Sequence, residues 1–283
     1  MGLRVRVECQ DPGLRRDIVA NFAAMTAASE GGAPDLDYQV AKDAARDTFG
    51  LACQGTVIDD GLDAGDLLFA LEKSLTVELQ KRRPDLFFLH AAALERNGVA
   101  FLMAAASGSG KSTAAWGMLH HECRYLSDEL CPIDLDTMRV FPYPHALCLK
   151  RDPPAPYALP ANTLRLGRTL HVPVADLPAP AVSEPVALGA VFLVTHRPDI
   201  AAPEMHAIGP AEAGARLYVN ALNALAHRNQ GLEAAARIAQ HVPCFALSSA
   251  RLAPTCALVR ATVDAIASSG RDRRAGPGES PPR

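Results

Sequence analysis

Apolar and basic residues alternate over residues 3–8, the period of a strand with one face in a core. Asp11-Pro12 then has the form of a helix start and predicts a helix to about Met25. Residues 29–34, with two successive glycines, read as a loop. β-prone pieces recur at 38–40, 48–51 and 56–58, so residues 1–62 predict a small α+β region. Leu67, Leu68, Leu71, Leu75 and Leu79 follow at helical spacing, and Pro84 limits that helix to about Arg82. Residues 86–94 read as one buried strand and 99–104 as another. The turn signal Arg96-Asn97-Gly98 between them predicts a hairpin. Its second strand runs directly into Ser107-Gly108-Ser109-Gly110-Lys111-Ser112-Thr113, and a helix is predicted from Lys111 to about His121.

Short strand-like runs lie around Tyr125-Leu126, at 130–133 and at 138–141. Residues 151–185 hold eight prolines and predict a long, irregular surface excursion. An apolar strand at 186–195, helices at 210–226 and 230–241, a strand at 244–247 and a helix at 253–267 complete the pattern. The chain thus divides into the N-terminal α+β region, a larger unit over 63–268, and a disordered tail over 269–283. The expected class is mixed α/β.

Composition narrows the function classes. Hydrophobic residues make up 49% of the 283 residues, enough for a sizeable core, and the formal net charge of −3 argues against a polybasic nucleic-acid surface or membrane anchor. No stretch approaches about 20 apolar residues and the N-terminus lacks an apolar signal core, so a cytoplasmic protein is expected. The seven cysteines form no CxxC pair and read as free, buried thiols rather than a disulfide framework or zinc knuckle. Lysine is scarce: Lys42, Lys73, Lys81, Lys111 and Lys150 are the whole set.

One of those five lies in the strongest motif, Ala105 to Ser112. A glycine-rich turn between strand and helix lets consecutive backbone N–H groups face phosphate oxygens, with the positive end of the helix dipole behind them. Lys111 would reach the β/γ-phosphates, the Ser112 hydroxyl would complete a Mg²⁺ shell, and Ser107, Gly108, Ser109, Gly110 and Thr113 would complete the nucleotide site. The full pattern has Gly at the first position, where this chain has Ala105. A serine-glycine loop that merely caps a helix is the competing reading, disfavoured by the strand before it and the scarce lysine inside it.

Asp128-Glu129 follows a strand end about one helix beyond the loop. Either acid can hold Mg²⁺ while the other acts as base. His90, inside an apolar run, reads on its own as a hydrogen-bonded core residue. Lys150-Arg151 reads equally as a phosphate contact or a solvated strand end. The remaining histidines show no metal-ligand spacing.

Leu89-His90-Ala91-Ala92-Ala93-Leu94, a tight turn, an apolar strand, SGSGKS and Leu126-Ser127-Asp128-Glu129 together resemble the catalytic core of HPr serine kinase/phosphorylase and the shorter HPr-kinase-related proteins. The resemblance is clearest from Leu86 to Arg151 and fades toward Ala267. It implies a P-loop core similar to HPr kinase and phosphoenolpyruvate carboxykinase. It also implies ATP and Mg²⁺ as cofactors, Lys111 and Ser112 on phosphates and metal, Asp128 as the base for a serine hydroxyl, Glu129 near the metal, and His90 beside the active site. A short α+β segment stands where the full-length enzymes have a long amino-terminal domain, and no stretch resembles the signature associated with their phosphorylase reaction, so reversal by inorganic phosphate is not expected. Some short relatives phosphorylate a lasso-peptide precursor, which points to a peptide or small protein bearing a serine as partner, rather than HPr itself. Full-length members form rings, and homo-oligomerisation stays open for this chain. A nucleotide-binding module without phosphotransfer is the alternative from another class; a transport ATPase is weaker, because no LSGGQ-like segment follows the loop.

Overall fold

The computed structural model of the chain describes residues 2–26, 32–106 and 108–274. The initial alternation becomes strand β1 (Val5–Cys9). Helix α1 (Pro12–Phe22) is capped by Asp11, whose side chain accepts from the Leu14 N–H, with proline in its first turn. Strands β2 (Leu36–Asp43), β3 (Thr48–Cys53) and β4 (Thr56–Leu62) add to β1 in sequential order, the first pair parallel and the others antiparallel.

Helix α2 (Ala64–Arg82) starts at Asp63, which accepts from the Asp66 N–H, and buries all five of its spaced leucines. They share a core with Leu14, Ile18, Tyr38 and Leu51 of the first layer and with Leu86, Phe88, Leu130 and Tyr143 of the next. At roughly 1.5–3 kcal/mol per fully buried leucine, this stripe contributes strongly to the adhesion between the layers.

The single strand expected over 86–94 is two, β5 (Leu86–Leu89) and β6 (Ala91–Arg96), with His90 at the joint. Only β6 forms the hairpin, with β7 (Val99–Ala104), through Asn97 (φ 55°) and Gly98 (φ 83°). Helix α3 (Lys111–Leu119), β8 (Arg124–Ser127), β9 (Cys131–Asp134) and β10 (Arg139–Val140) come next. β5 leaves the hairpin to pair with β9, and the His90 N–H donates to the Asn220 carbonyl at 2.8 Å instead of a strand partner.

The proline-rich excursion is less irregular than expected. β11 (Leu147–Leu149), β12 (Leu164–Leu166) and β13 (Thr169–Val172) form a small sheet in the order β11-β13-β12. Strand β14 (Val186–His196) is followed by β15 (Glu204–Ile208), which the sequence pattern did not signal. Helix α4 (Pro210–Tyr218) is shorter than predicted and gives way to 3₁₀ turns before α5 (Leu232–His241), β16 (Cys244–Ser249) and α6 (Leu252–Arg274). The last helix runs past its predicted end near Ala267 and through the first residues of the expected tail; residues 275–283 lie outside the described residues.

The main sheet has the order β5-β9-β10-β14-β7-β6-β8, with β16 beside β14 and β15 beside β16. β7, β14 and β16 run parallel through its middle. Ala93, Ala100 and Leu102 face α4 and α5, whereas Ala92, Phe101 and Met103 face α3 and α6. Burial on both faces explains the continuous apolar runs. No helix among the described residues is long and apolar enough to cross a membrane.

Asn223 fixes β5 from outside the sheet: its Oδ1 accepts from the Phe88 N–H at 2.9 Å and its Nδ2 donates to the Leu86 carbonyl at 2.8 Å. Asn223→Ala removes the partner of the buried Phe88 N–H, while the Leu86 carbonyl keeps His227 Nε2 at 3.1 Å, so a loss of about 1–3 kcal/mol is expected in chemical denaturation.

Candidate active site

A cleft of about 590 Å³ opens where the β7–α3 loop, the His90 joint, the turn after β8 and the small sheet meet α2. The loop owes its shape to two glycines, Gly108 and Gly110, both at φ 83°, where an L side chain would be strained. Gly110 caps α3 in the left-handed conformation. The N–H groups of Lys111, Ser112 and Thr113 precede the first intrahelical bond, from the Ala114 N–H to the Gly110 carbonyl at 2.8 Å. Such groups, at the positive end of a helix, suit an anion. The Ser109 N–H turns inward to the Ala106 carbonyl at 3.1 Å, and Ser107 lies outside the described residues. Ala105 is buried and is not in the left-handed region, so alanine fits there without strain.

Lys111 is 7% exposed, and its Nζ has no hydrogen-bond partner among the described residues. Burial lowers its proton affinity, while Glu129 and Asp128 oppose that shift. A buried ammonium without acceptors is costly, and an anion in the cleft would supply them.

The two adjacent acids have different surroundings. Asp128 is fully buried behind the cleft wall. Its Oδ1 accepts from the Tyr125 hydroxyl at 3.3 Å, its Oδ2 from the Cys148 N–H at 3.1 Å, and Ser112 also hydrogen-bonds to it. Burial, then the charge of Glu129, raises the Asp128 carboxyl above the usual carboxylate range. Glu129 lines the cleft, with its Oε2 3.0 Å from His90 Nε2. Burial opposes its ionisation, but the His90 hydrogen bond and Lys111 outweigh burial and hold it below its ordinary range. The break between β5 and β6 thus brings His90 to the acid pair, and Lys150 and Arg151 also line the cleft.

Sequence spacing did not point to a polar group behind these residues. Glu72 of α2, His145 and Cys148 line the same cleft, and His171 of β13 is buried beside them. His145 Nε2 lies 3.7 Å from Asp128 Oδ1, and its Nδ1 lies 3.9 Å from Glu72 Oε1. Asn21 Nδ2 donates to Glu72 Oε1 at 2.5 Å, and its Oδ1 is 3.0 Å from His171 Nδ1. Burial, reinforced by His145, pushes His171 down to about 4, so it is neutral. The sequence cue available was polarity alone: Glu72 sits among the leucines of α2 and His145 among buried residues ahead of β11.

No protein-family model and no curated protein matches the chain. Among solved structures, the HPr(Ser) kinase/phosphatase from Coxiella burnetii is similar with a TM-score of 0.33 and 10% identity, over 67% of this chain and 99% of that one. That similarity is too slight to transfer residue roles.

Proposed function

We propose that the chain is an ATP- and Mg²⁺-dependent serine kinase that transfers the γ-phosphoryl group to a serine hydroxyl of a peptide or small protein, as members of the HPr-kinase-like family do. The observation that carries the reading is the buried, unpartnered Lys111 ammonium at the start of α3, beside two carboxylates. The cradle fits a triphosphate: Gly108 and Gly110 leave open space where a side chain would stand, and Thr113 lines the same wall.

Ser112 and Asp128 would hold Mg²⁺, which supplies neutralisation of the charge on the phosphate oxygens when bound. The resemblance makes Asp128 the base. Its burial and its hydrogen bonds to Tyr125, Cys148 and Ser112 favour another division of the pair. Asp128 orients Ser112, and Glu129, which faces the cleft, takes the proton of the acceptor hydroxyl while His90 holds its carboxylate in place. Lys111 stabilises charge on the transferring group, and Lys150 and Arg151 add positive charge to the opening.

Transfer of labelled γ-phosphate to a panel of serine-containing peptides tests the reading. Glu129→Gln is expected to lower kcat about 10²–10⁴-fold with little change in nucleotide affinity. Full transfer by Glu129→Gln would return the base to Asp128. Nucleotide binding by the unaltered chain with no transfer to any peptide would favour the binding module.

A further inference from the structure

We propose that Glu72, His145 and Cys148 form a Zn²⁺ site at the back of the cleft, with a ligand set of its own beside the Mg²⁺ position, to which Asp128 is the common neighbour. One ligand atom from each lies within 4.8 Å of the others. The donor set is a carboxylate, an imidazole and a thiol, which suits zinc and is poor for Mg²⁺.

His145 supplies a second, independent observation. It is 2% exposed, and its Nδ1 has no hydrogen-bond partner among the described residues. Its two ring nitrogens lie between carboxylates, Nε2 3.7 Å from Asp128 Oδ1 and Nδ1 3.9 Å from Glu72 Oε1, both beyond direct hydrogen-bond distance. A tetrahedral zinc with bonds of about 2.0–2.3 Å separates its ligand atoms by roughly 3.3–3.7 Å. Glu72 Oε1 and His145 Nδ1 stand 3.9 Å apart, within a few tenths of that spacing.

The surroundings hold the ligands in place. Asn21 donates to Glu72 Oε1, and His171 Nδ1 approaches Cys148 Sγ at 3.4 Å and Glu72 Oε1 at 3.8 Å. Cys148 would bind as thiolate, with its proton leaving to solvent. Three protein ligands leave a fourth position, and because all three line the cleft it opens there, for water or a donor atom of the acceptor. The ion would also tie α2 to β11, so it should stabilise the fold.

The full chain, stripped of metal with a chelator, would be titrated with Co²⁺ and then Zn²⁺. Binding of one equivalent of Co²⁺ with a thiolate-to-cobalt absorption band is expected, with displacement of the band by Zn²⁺ and a higher thermal midpoint in Zn²⁺. Cys148→Ser should lose the band, and Glu72→Gln should weaken binding at least tenfold. The proposal is overturned by the absence of stoichiometric Co²⁺ or Zn²⁺ binding to the unaltered chain at micromolar metal. It also fails if an undiminished band persists in Cys148→Ser, which would place the thiolate at another cysteine, or if equimolar Mg²⁺ displaces the cobalt.

Discussion

Lys111→Met is expected to lower phosphoryl transfer by about 10²–10⁴-fold and to remove the thermal stabilisation that nucleotide gives the unaltered chain. Methionine keeps the length and much of the packing of lysine but has no charge. The ammonium it replaces is buried without a hydrogen-bond partner among the described residues, and its charge is balanced there by Glu129 and Asp128. In the ligand-free variant the relief of a desolvated ammonium is offset by the lost attraction to Glu129 and Asp128, so its unfolding temperature should stay close to that of the unaltered chain. Calorimetry with and without nucleotide, beside the transfer assay, reads both effects. Unchanged transfer would exclude Lys111 as the phosphate-binding ammonium.

Asp128→Asn is expected to trade activity for stability. Transfer should fall about 10²–10³-fold, with weaker affinity for nucleotide in the presence of Mg²⁺. The fold, however, should gain about 1–3 kcal/mol near pH 8. The sign follows from the raised carboxyl of Asp128, caused by its burial and by Glu129. A group raised in the folded state contributes its full stability below its unfolded value, about 3.9 for aspartate, and loses it as pH rises through the folded value. The unaltered chain should therefore lose stability relative to the variant from mildly acidic to alkaline pH, and the two should converge toward acid. Asparagine still accepts from the Cys148 N–H and can donate to the Tyr125 hydroxyl, so packing is preserved. Denaturation at pH 5 and pH 8 decides the matter. A variant less stable at both would mean that the charge is compensated within the fold. If kcat falls with Mg²⁺-dependent nucleotide affinity intact, Asp128 is the base rather than the metal holder.

What could be read from the chain is what depends on neighbours in sequence. The Asn97-Gly98 turn, the glycine loop before Lys111, the leucine stripe of α2 and the adjacency of Asp128 and Glu129 are local patterns, and each appears at the expected place. The break at His90 was not local: β5 departs because β9, more than 40 residues on, takes it up, and Asn220 and Asn223 hold it from farther still. The strands of the small sheet are only three or four residues long and lie among prolines, too short for periodicity to register. The polar group at the back of the cleft was hidden for the same reason. Glu72 and Cys148 are brought together by packing between layers, and no spacing in the sequence records that distance.

Helix α2 belongs to two layers at once. Leu67, Leu71 and Leu75 lie in the core beneath the first sheet, while Phe69, Glu72, Lys73 and Thr76 line the cleft. For recombination this makes the boundary asymmetric. A crossover between β4 and α2 would separate five leucines from the sheet they were matched to, whereas one after Arg82 would exchange a wall of the cleft together with the sheet. A chimera that inherits a foreign first layer would therefore inherit part of its chemistry as well, and would keep the native polar group only if its α2 brings an acid to position 72.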